Sequence, residues 1–141
     1  MNSEETSQHA DGARQAMEPG NSRTWDIRDR TFEYSLRAVR LHQSLQAGGD
    51  RTGWLLGRQY LRAATSIGAN IAEAQSAESK ADFLHKCAIA QKEARESLYW
   101  LQLLDRSGIV AGERLGALLQ ETDELIAVIA SIILSTKRRR D

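Results

Sequence analysis

Four segments of the chain carry apolar residues at spacings of three and four, the repeat of an α-helix with one buried face. The clearest is the last segment, over about residues 111–138. Its apolar stripe consists of Leu115, Leu118, Thr122, Leu125, Ile129 and Ile132. Alternating three- and four-residue steps are typical of the seam of a helical bundle. The pattern therefore predicts a fourth helix that packs against others along its length.

The same periodicity predicts earlier helices over about residues 24–46, 52–76 and 79–108. The paired glycines of "AGGD" end the first of them, and Gly108 is expected to end the third. "SKAD" has the form of a capping box at the start of the third helix, with Ser79 as the N-cap and Asp82 at the third helical position, N3. The first helix has two stripes, formed by Phe32, Leu36 and Val39 and by Tyr34, Ala38, Leu41 and Leu45. The third has one, formed by Phe83, Cys87, Ala90, Ala94, Leu98 and Leu101.

Composition agrees with helices throughout. Pro19 is the only proline, and aromatic residues make up 6% of the 141 residues. Four helices of similar length joined by short turns predict an all-α, antiparallel up-down-up-down four-helix bundle. We expect residues 1–22, which are polar and aperiodic, to be a disordered tail. The bundle domain then spans 23–138, and 139–141 form a basic end.

Charge and cysteine content narrow the class of protein. The formal net charge is +0, so no overall basic field indicates nucleic-acid binding. Cys87 is the only cysteine, which fits a reducing compartment. The apolar run "LIAVIASIIL" is too short to span a bilayer, and the N-terminus lacks the apolar core of a signal peptide. We expect a cytoplasmic protein without a membrane partner or a small-molecule substrate.

Candidate catalytic and metal-binding residues are few. His85 follows Asp82 by three positions, but no second such pair exists, so neither a metal nor another cofactor is expected. Cys87 falls on an apolar stripe and is expected to be a packed thiol. Arg37 and His42 have the spacing of the catalytic pair of HEPN ribonucleases, in which arginine could stabilise a phosphate and histidine transfer a proton. Because the match consists of only two residues, a HEPN-like ribonuclease is kept as an alternative hypothesis.

The C-terminal "KRRR" also has two readings. Lys137, Arg138, Arg139 and Arg140 could contact RNA phosphates. Alternatively, these cations stabilise the helix, because positive charges at the C-terminus of a helix complement the helix dipole.

The second helix combines small residues with a polar row. Its main stripe is formed by Leu56, Tyr60, Ala63, Ile67, Ile71 and Ala74, and the polar row beside it by Arg62, Ser66, Asn70 and Glu73. Gly68 in mid-helix costs about 1 kcal/mol relative to alanine, which predicts a close approach of another helix there. Glu93 and Glu96 of the third helix are expected partners of Arg62. We interpret the row as a structural polar network that sets helix register.

The segment "LRAATSIGANIAEAQSAESKADFLHKCAIAQKEARESLYWLQLL", residues 61–104, resembles the four-helix bundle family of proteins encoded within bacterial 23S rRNA intervening sequences. The matching positions are Arg62, Thr65, Ser66, Gly68, Asn70, Glu73, Phe83, Ala90, Glu93, Ala94, Tyr99 and Trp100. Ala63 and Ala74 stand where serine and glycine are common in the family. The resemblance extends over residues 25–136.

This resemblance implies a ring-shaped homo-oligomer, typically a homopentamer, of a family not known for enzymes. Accessory proteins of diversity-generating retroelements look similar in fold; they bind a reverse transcriptase and RNA and are usually basic, whereas this chain is neutral. We therefore expect a non-enzymatic ring that binds RNA or another nucleic acid. An accessory scaffold for a reverse transcriptase and a HEPN-like ribonuclease remain the alternatives.

Overall fold

The computed structural model describes residues 23–111 and 113–140 and contains four helices. They are α1 (Arg23–Gly48), α2 (Arg51–Ala74), α3 (Lys80–Arg106) and α4 (Gly116–Arg138). No strand occurs among the described residues, so the prediction of an all-α chain is confirmed. None of the described helices combines the length and apolarity needed to cross a membrane. The N-terminal tail predicted over 1–22 lies outside the described residues.

Glycines end two of the helices, and a serine caps the start of α3, where the sequence indicates. Gly49 and Gly108 follow α1 and α3 with φ of 77° and 75°, a left-handed conformation that glycine adopts without steric cost. The Ser79 side chain accepts a hydrogen bond from the Asp82 backbone N–H at 3.0 Å. These residues confirm the predicted turns and the predicted start of α3.

The predicted start of α4 at about residue 111 is wrong, because the helix begins at Gly116. Val110 is buried with 8% exposure. Ile109 lies against α2, where its Cγ2 is 2.8 Å from the position of a Cβ built on Gly53. Ile109 and Val110 therefore cover the end of the helices, and the chain then makes a turn, in which the Arg114 N–H donates to the Ala111 carbonyl at 3.1 Å, before α4 starts.

The core is formed by sequential packing, in which each helix contacts the next and α4 also contacts α1. In α4 the predicted stripe is buried from Leu115 to Ile129, and Ile132 is half-buried. In α2 the predicted stripe is buried except for half-buried Leu56. Periodicity therefore identified the core faces of these two helices correctly.

Only one of the two α1 stripes is covered. Tyr34, Ala38 and Leu45 are buried, whereas Phe32 is 64% exposed and Val39 is also exposed. The reason is geometric: α1 packs mainly against α2 and only slightly against α4. The stripe that contains Phe32 is therefore left open on this chain.

A pair of tyrosines carries hydroxyl groups into the core. The Thr122 hydroxyl donates to the Leu118 carbonyl at 2.7 Å and accepts from the Tyr34 hydroxyl at 2.6 Å. The Tyr60 ring lies edge-on to Tyr34 with 6.2 Å between centroids, and its buried hydroxyl has no hydrogen-bond partner among the described residues. Burial raises the pKa of both phenols, and the adjacent Tyr34 raises that of Tyr60 further.

Gly68 lies at a close approach of α2 to the backbone of α1. A Cβ at this position would be 3.1 Å from the Ser35 Oγ and 3.2 Å from the Thr31 carbonyl oxygen. The Ser35 hydroxyl itself donates to that carbonyl at 3.0 Å. The close helix approach predicted from a mid-helix glycine is confirmed.

Candidate functional site

Arg62 of α2 contacts two carboxylates of α3. Its guanidinium donates a hydrogen bond to Glu96 and lies 3.5 Å from the Glu93 carboxylate. The Trp100 indole N–H also donates to Glu96, at 3.3 Å. The Arg62 side chain is 53% exposed and that of Glu93 is 13% exposed. The cluster therefore spans from the surface into the α2–α3 interface.

The electrostatics of this cluster favour the charged forms. Partial burial raises the pKa of the Glu96 carboxyl, but hydrogen bonds from Arg62 and Trp100 outweigh it and lower the pKa overall. The hydrogen bond to Glu96 in turn raises the pKa of Arg62. A permanently charged, geometrically defined pair of this kind can fix how α2 and α3 align, although exposed ion pairs add little free energy.

The other residues of the polar row make separate contacts. The Asn70 side-chain amide donates to the Ser66 carbonyl at 2.8 Å and to its hydroxyl at 3.2 Å, within α2. Glu73 pairs with Lys86 of α3 at 2.7 Å. The structure thus brings Arg62 together with both predicted glutamates, but it does not join the row into one continuous network.

The basic C-terminal residues lie at the end of α4. Lys137 and Arg138 occupy its last turn, Arg139 and Arg140 follow it, and all four are exposed. The Lys80 ammonium at the start of α3 donates to the Arg139 carbonyl. Lys137 and Arg138, in the last turn, complement the helix dipole. The exposed guanidinium groups are available for contacts with anions.

Arg37 and His42, the HEPN-like pair, face different neighbours. Arg37 lines a cleft beside the start of α4. The His42 ring lies 6.1 Å from that of Trp54 on α2, between centroids, and its buried Nδ1 has no hydrogen-bond partner in the described part of the chain. The two side chains are therefore not brought together on one surface of this chain.

The remaining candidate residues are isolated. Among the described residues, no group of three or more His, Cys, Asp or Glu side chains could hold a metal ion, and Asp82 and His85 stay a single pair. Cys87 is buried, and burial raises the pKa of its thiol to about 11. It is therefore protonated at neutral pH, which is the form of a packed thiol rather than of a nucleophile.

A groove of about 480 Å³ separates the outer faces of α1 and α2. Phe32 and Ser35 line one side, and Thr65, Ala69 and Ala72 line the other. We call it the Phe32 groove. The second apolar stripe of α1 was its only signal in the sequence, since spacing does not show whether a stripe is covered by the same chain.

The fold and these surfaces define a small all-α protein of four packed helices. Residues 23–131 match the family model of the 23S rRNA-intervening sequence proteins, and the chain belongs to this family, as the resemblance indicated. It is similar to a crystal structure from Bacteroides thetaiotaomicron, described as a protein of unknown function from the S23 ribosomal protein family. The two share 36% identity and a TM-score of 0.74, over 80% of this chain and 99% of that one. None of the curated proteins compared with the chain matches it.

Proposed function

We propose that the protein is a non-enzymatic subunit of a ring-shaped homo-oligomer, a pentamer by its resemblance, that binds structured RNA. Each subunit is an antiparallel up-down-up-down bundle. The observation that carries the proposal is the open apolar stripe of α1, in which Phe32 is 64% and Val39 38% exposed, because apolar surface left open on one chain can be buried between copies of it.

The order of contacts supports the up-down topology. Gly57 of α2 lies against Leu45 near the end of α1, and Gly68, further along α2, lies against Thr31 near its beginning. Contacts between α1 and α2 therefore run in opposite directions along the two helices. The ion pairs between α2 and α3 follow the same reversed order.

A second apolar surface supports a ring rather than a two-fold dimer. Tyr99 and Leu103 are 56% and 37% exposed on α3, one helical turn apart. Phe32 is presented by α1, on a different helix. When two different surfaces of one chain bind each other, the contact is head-to-tail, and such contacts form a ring when the rotation between subunits closes.

Assembly would also concentrate charge. Each copy carries the exposed cations Lys137 to Arg140 at one end of α4. A cyclic arrangement places the same end of every subunit at equivalent positions around one axis. Several weak phosphate contacts then act together, so a chain with formal net charge +0 can still bind RNA.

Light scattering tests the ring. We expect the wild type to have a mass that is a multiple of 15.7 kDa. Phe32→Glu should dissociate it, because a carboxylate cannot be buried unpaired in an apolar contact. Gln59→Glu, an exposed change of equal charge on α2, should leave the mass unchanged. A monomeric wild type at micromolar concentration, or an unchanged mass in Phe32→Glu, would contradict the proposal.

Filter binding to a structured RNA at two salt concentrations tests the basic end. Replacing Lys137, Arg138, Arg139 and Arg140 by glutamine should weaken binding and flatten its salt dependence, because fewer counterions are released. Truncation after Thr136 should act in the same way. Equal binding by these variants would remove the role of the basic end. Cleavage of the RNA by the wild type but not by His42→Ala would instead favour the ribonuclease alternative.

A further inference from the structure

A second cluster of cations lies at the opposite end of α4. Arg37 and Arg40 of α1 and Arg114 of the α3–α4 connection line a cleft of about 260 Å³. Ser44 lines it as well, together with Leu115 and Leu118. We call it the arginine cleft. Three arginines thus line one cleft, two from neighbouring positions of α1 and one from the distant α3–α4 connection.

These arginines have no carboxylate partner within the described part of the chain, and none of the residues lining the cleft is acidic. Arg30 of α1, by contrast, lies 2.9 Å from Glu121. Glu33, one turn before Arg37, and Glu113, next to Arg114, form no ion pair among the described residues. The lining of the cleft therefore carries three positive charges and no negative one.

The start of α4 adds to this positive potential. Its N-cap position makes no side-chain hydrogen bond, and its first turn contains no acidic residue. The first N–H groups of a helix lack partners within the helix and form the positive end of its dipole. Because Leu115 and Leu118 line the arginine cleft, this helix end is adjacent to the three guanidinium groups.

We propose that the arginine cleft binds backbone phosphates of RNA, as a second contact separate from the basic C-terminus. The proposal rests on the RNA binding proposed above. Guanidinium groups match phosphate oxygens in charge and in fork geometry. The 23 residues of α4 hold the two basic sites about 34 Å apart. Substitutions can therefore remove one site without touching the other.

The test is binding of a fluorescently labelled RNA hairpin over a range of salt. In the triple variant Arg37→Gln, Arg40→Gln and Arg114→Gln, affinity at low salt should fall about tenfold or more. The slope of log K against log salt should fall by about two to three, because about three phosphate contacts are lost.

A matched triple variant controls for net charge. Arg51→Gln, Lys92→Gln and Arg95→Gln remove three exposed cations from α2 and α3, and affinity and slope should stay near those of the wild type. If the triple cleft variant fails to fold by circular dichroism, the double variant of exposed Arg40 and Arg114 replaces it, with an expected slope change of about two.

An independent arm uses inorganic phosphate. It should raise the Tm of the wild type more than that of the cleft variant, because an anion that binds the folded state stabilises it. Unchanged affinity and slope in the cleft variants would overturn the inference and leave the proposed function intact. A wild type that binds no RNA would overturn both.

Discussion

Raising the pH above 10 is expected to destabilise the protein steeply, because Tyr34 and Tyr60 must remain protonated in the folded chain. The pKa of each phenol is raised from 10.0 by burial. Between the unfolded and folded pKa values the unfolded chain binds fewer protons, so the free energy of unfolding falls as pH rises. Tyr60, whose pKa is strongly raised, contributes about 1.4 kcal/mol per pH unit above pH 10, and Tyr34 adds to the loss in the same direction. Below pH 10 this contribution is constant.

Urea unfolding followed by circular dichroism between pH 8 and pH 11 measures this slope. Tyr60→Phe should reduce it by one proton, about 1.4 kcal/mol per pH unit above pH 10. It should cost little at neutral pH, because the Tyr60 hydroxyl makes no hydrogen bond within the described structure. The wild type, measured in parallel, is the reference for this slope. A wild-type slope in Tyr60→Phe would show that this phenol is not protected by burial.

The Cys87 thiol also lowers the stability at alkaline pH, and its effect begins at a lower pH than that of the tyrosines. Burial raises its pKa from 9.0 to about 11, so its contribution to stability begins to fall near pH 9 and ends near pH 11. The other ionisable side chains are the same in the wild type and in Tyr60→Phe, so the difference between the two isolates the Tyr60 phenol.

Gly68→Val is expected to lower the free energy of unfolding by about 3 kcal/mol, the upper range for overpacking a tight contact. The new Cβ would lie 3.2 Å from the Thr31 carbonyl oxygen and 3.1 Å from the Ser35 hydroxyl, and the two methyl groups need further space. The obstacle is partly backbone, so α1 and α2 must separate. The small gain in helix propensity over glycine does not offset this cost.

Urea unfolding at one fixed protomer concentration checks this expectation. Gly116→Val is the matched control, because a Cβ built on Gly116 has no atom within 4 Å. It should retain wild-type stability. If Gly68→Val stayed within about 1 kcal/mol of the wild type, the α1–α2 contact could widen easily, and the glycine would have another role.

The sequence predicted those parts of the fold that depend on local spacing. The α4 stripe and the glycines after α1 and α3 follow directly from helical periodicity and backbone stereochemistry. The start of α4 did not, because the chain is held by buried Val110 and Leu115 on either side of a turn. Helical spacing does not show where such a turn gives way to a helix.

The candidate sites, like the fold, could be predicted from the sequence only in part. Residue types and helix faces were enough to suggest the contact of Arg62 with Glu93 and Glu96. The Lys86 partner of Glu73 was not anticipated, because spacing within α2 does not show which residue of α3 faces Glu73. The arginine cleft could not be seen in the sequence at all, since it forms only where α1 meets the connection to α4.

Cys87 provides a way to measure opening of the core. It is the only cysteine of the chain, and it is 1% exposed in the core between the helices. A thiol reagent can reach it only when that core opens, so its rate of modification measures how often the helices part. The chain thus contains a natural reporter of its own breathing motions, and binding of RNA or of another subunit would register as slower labelling.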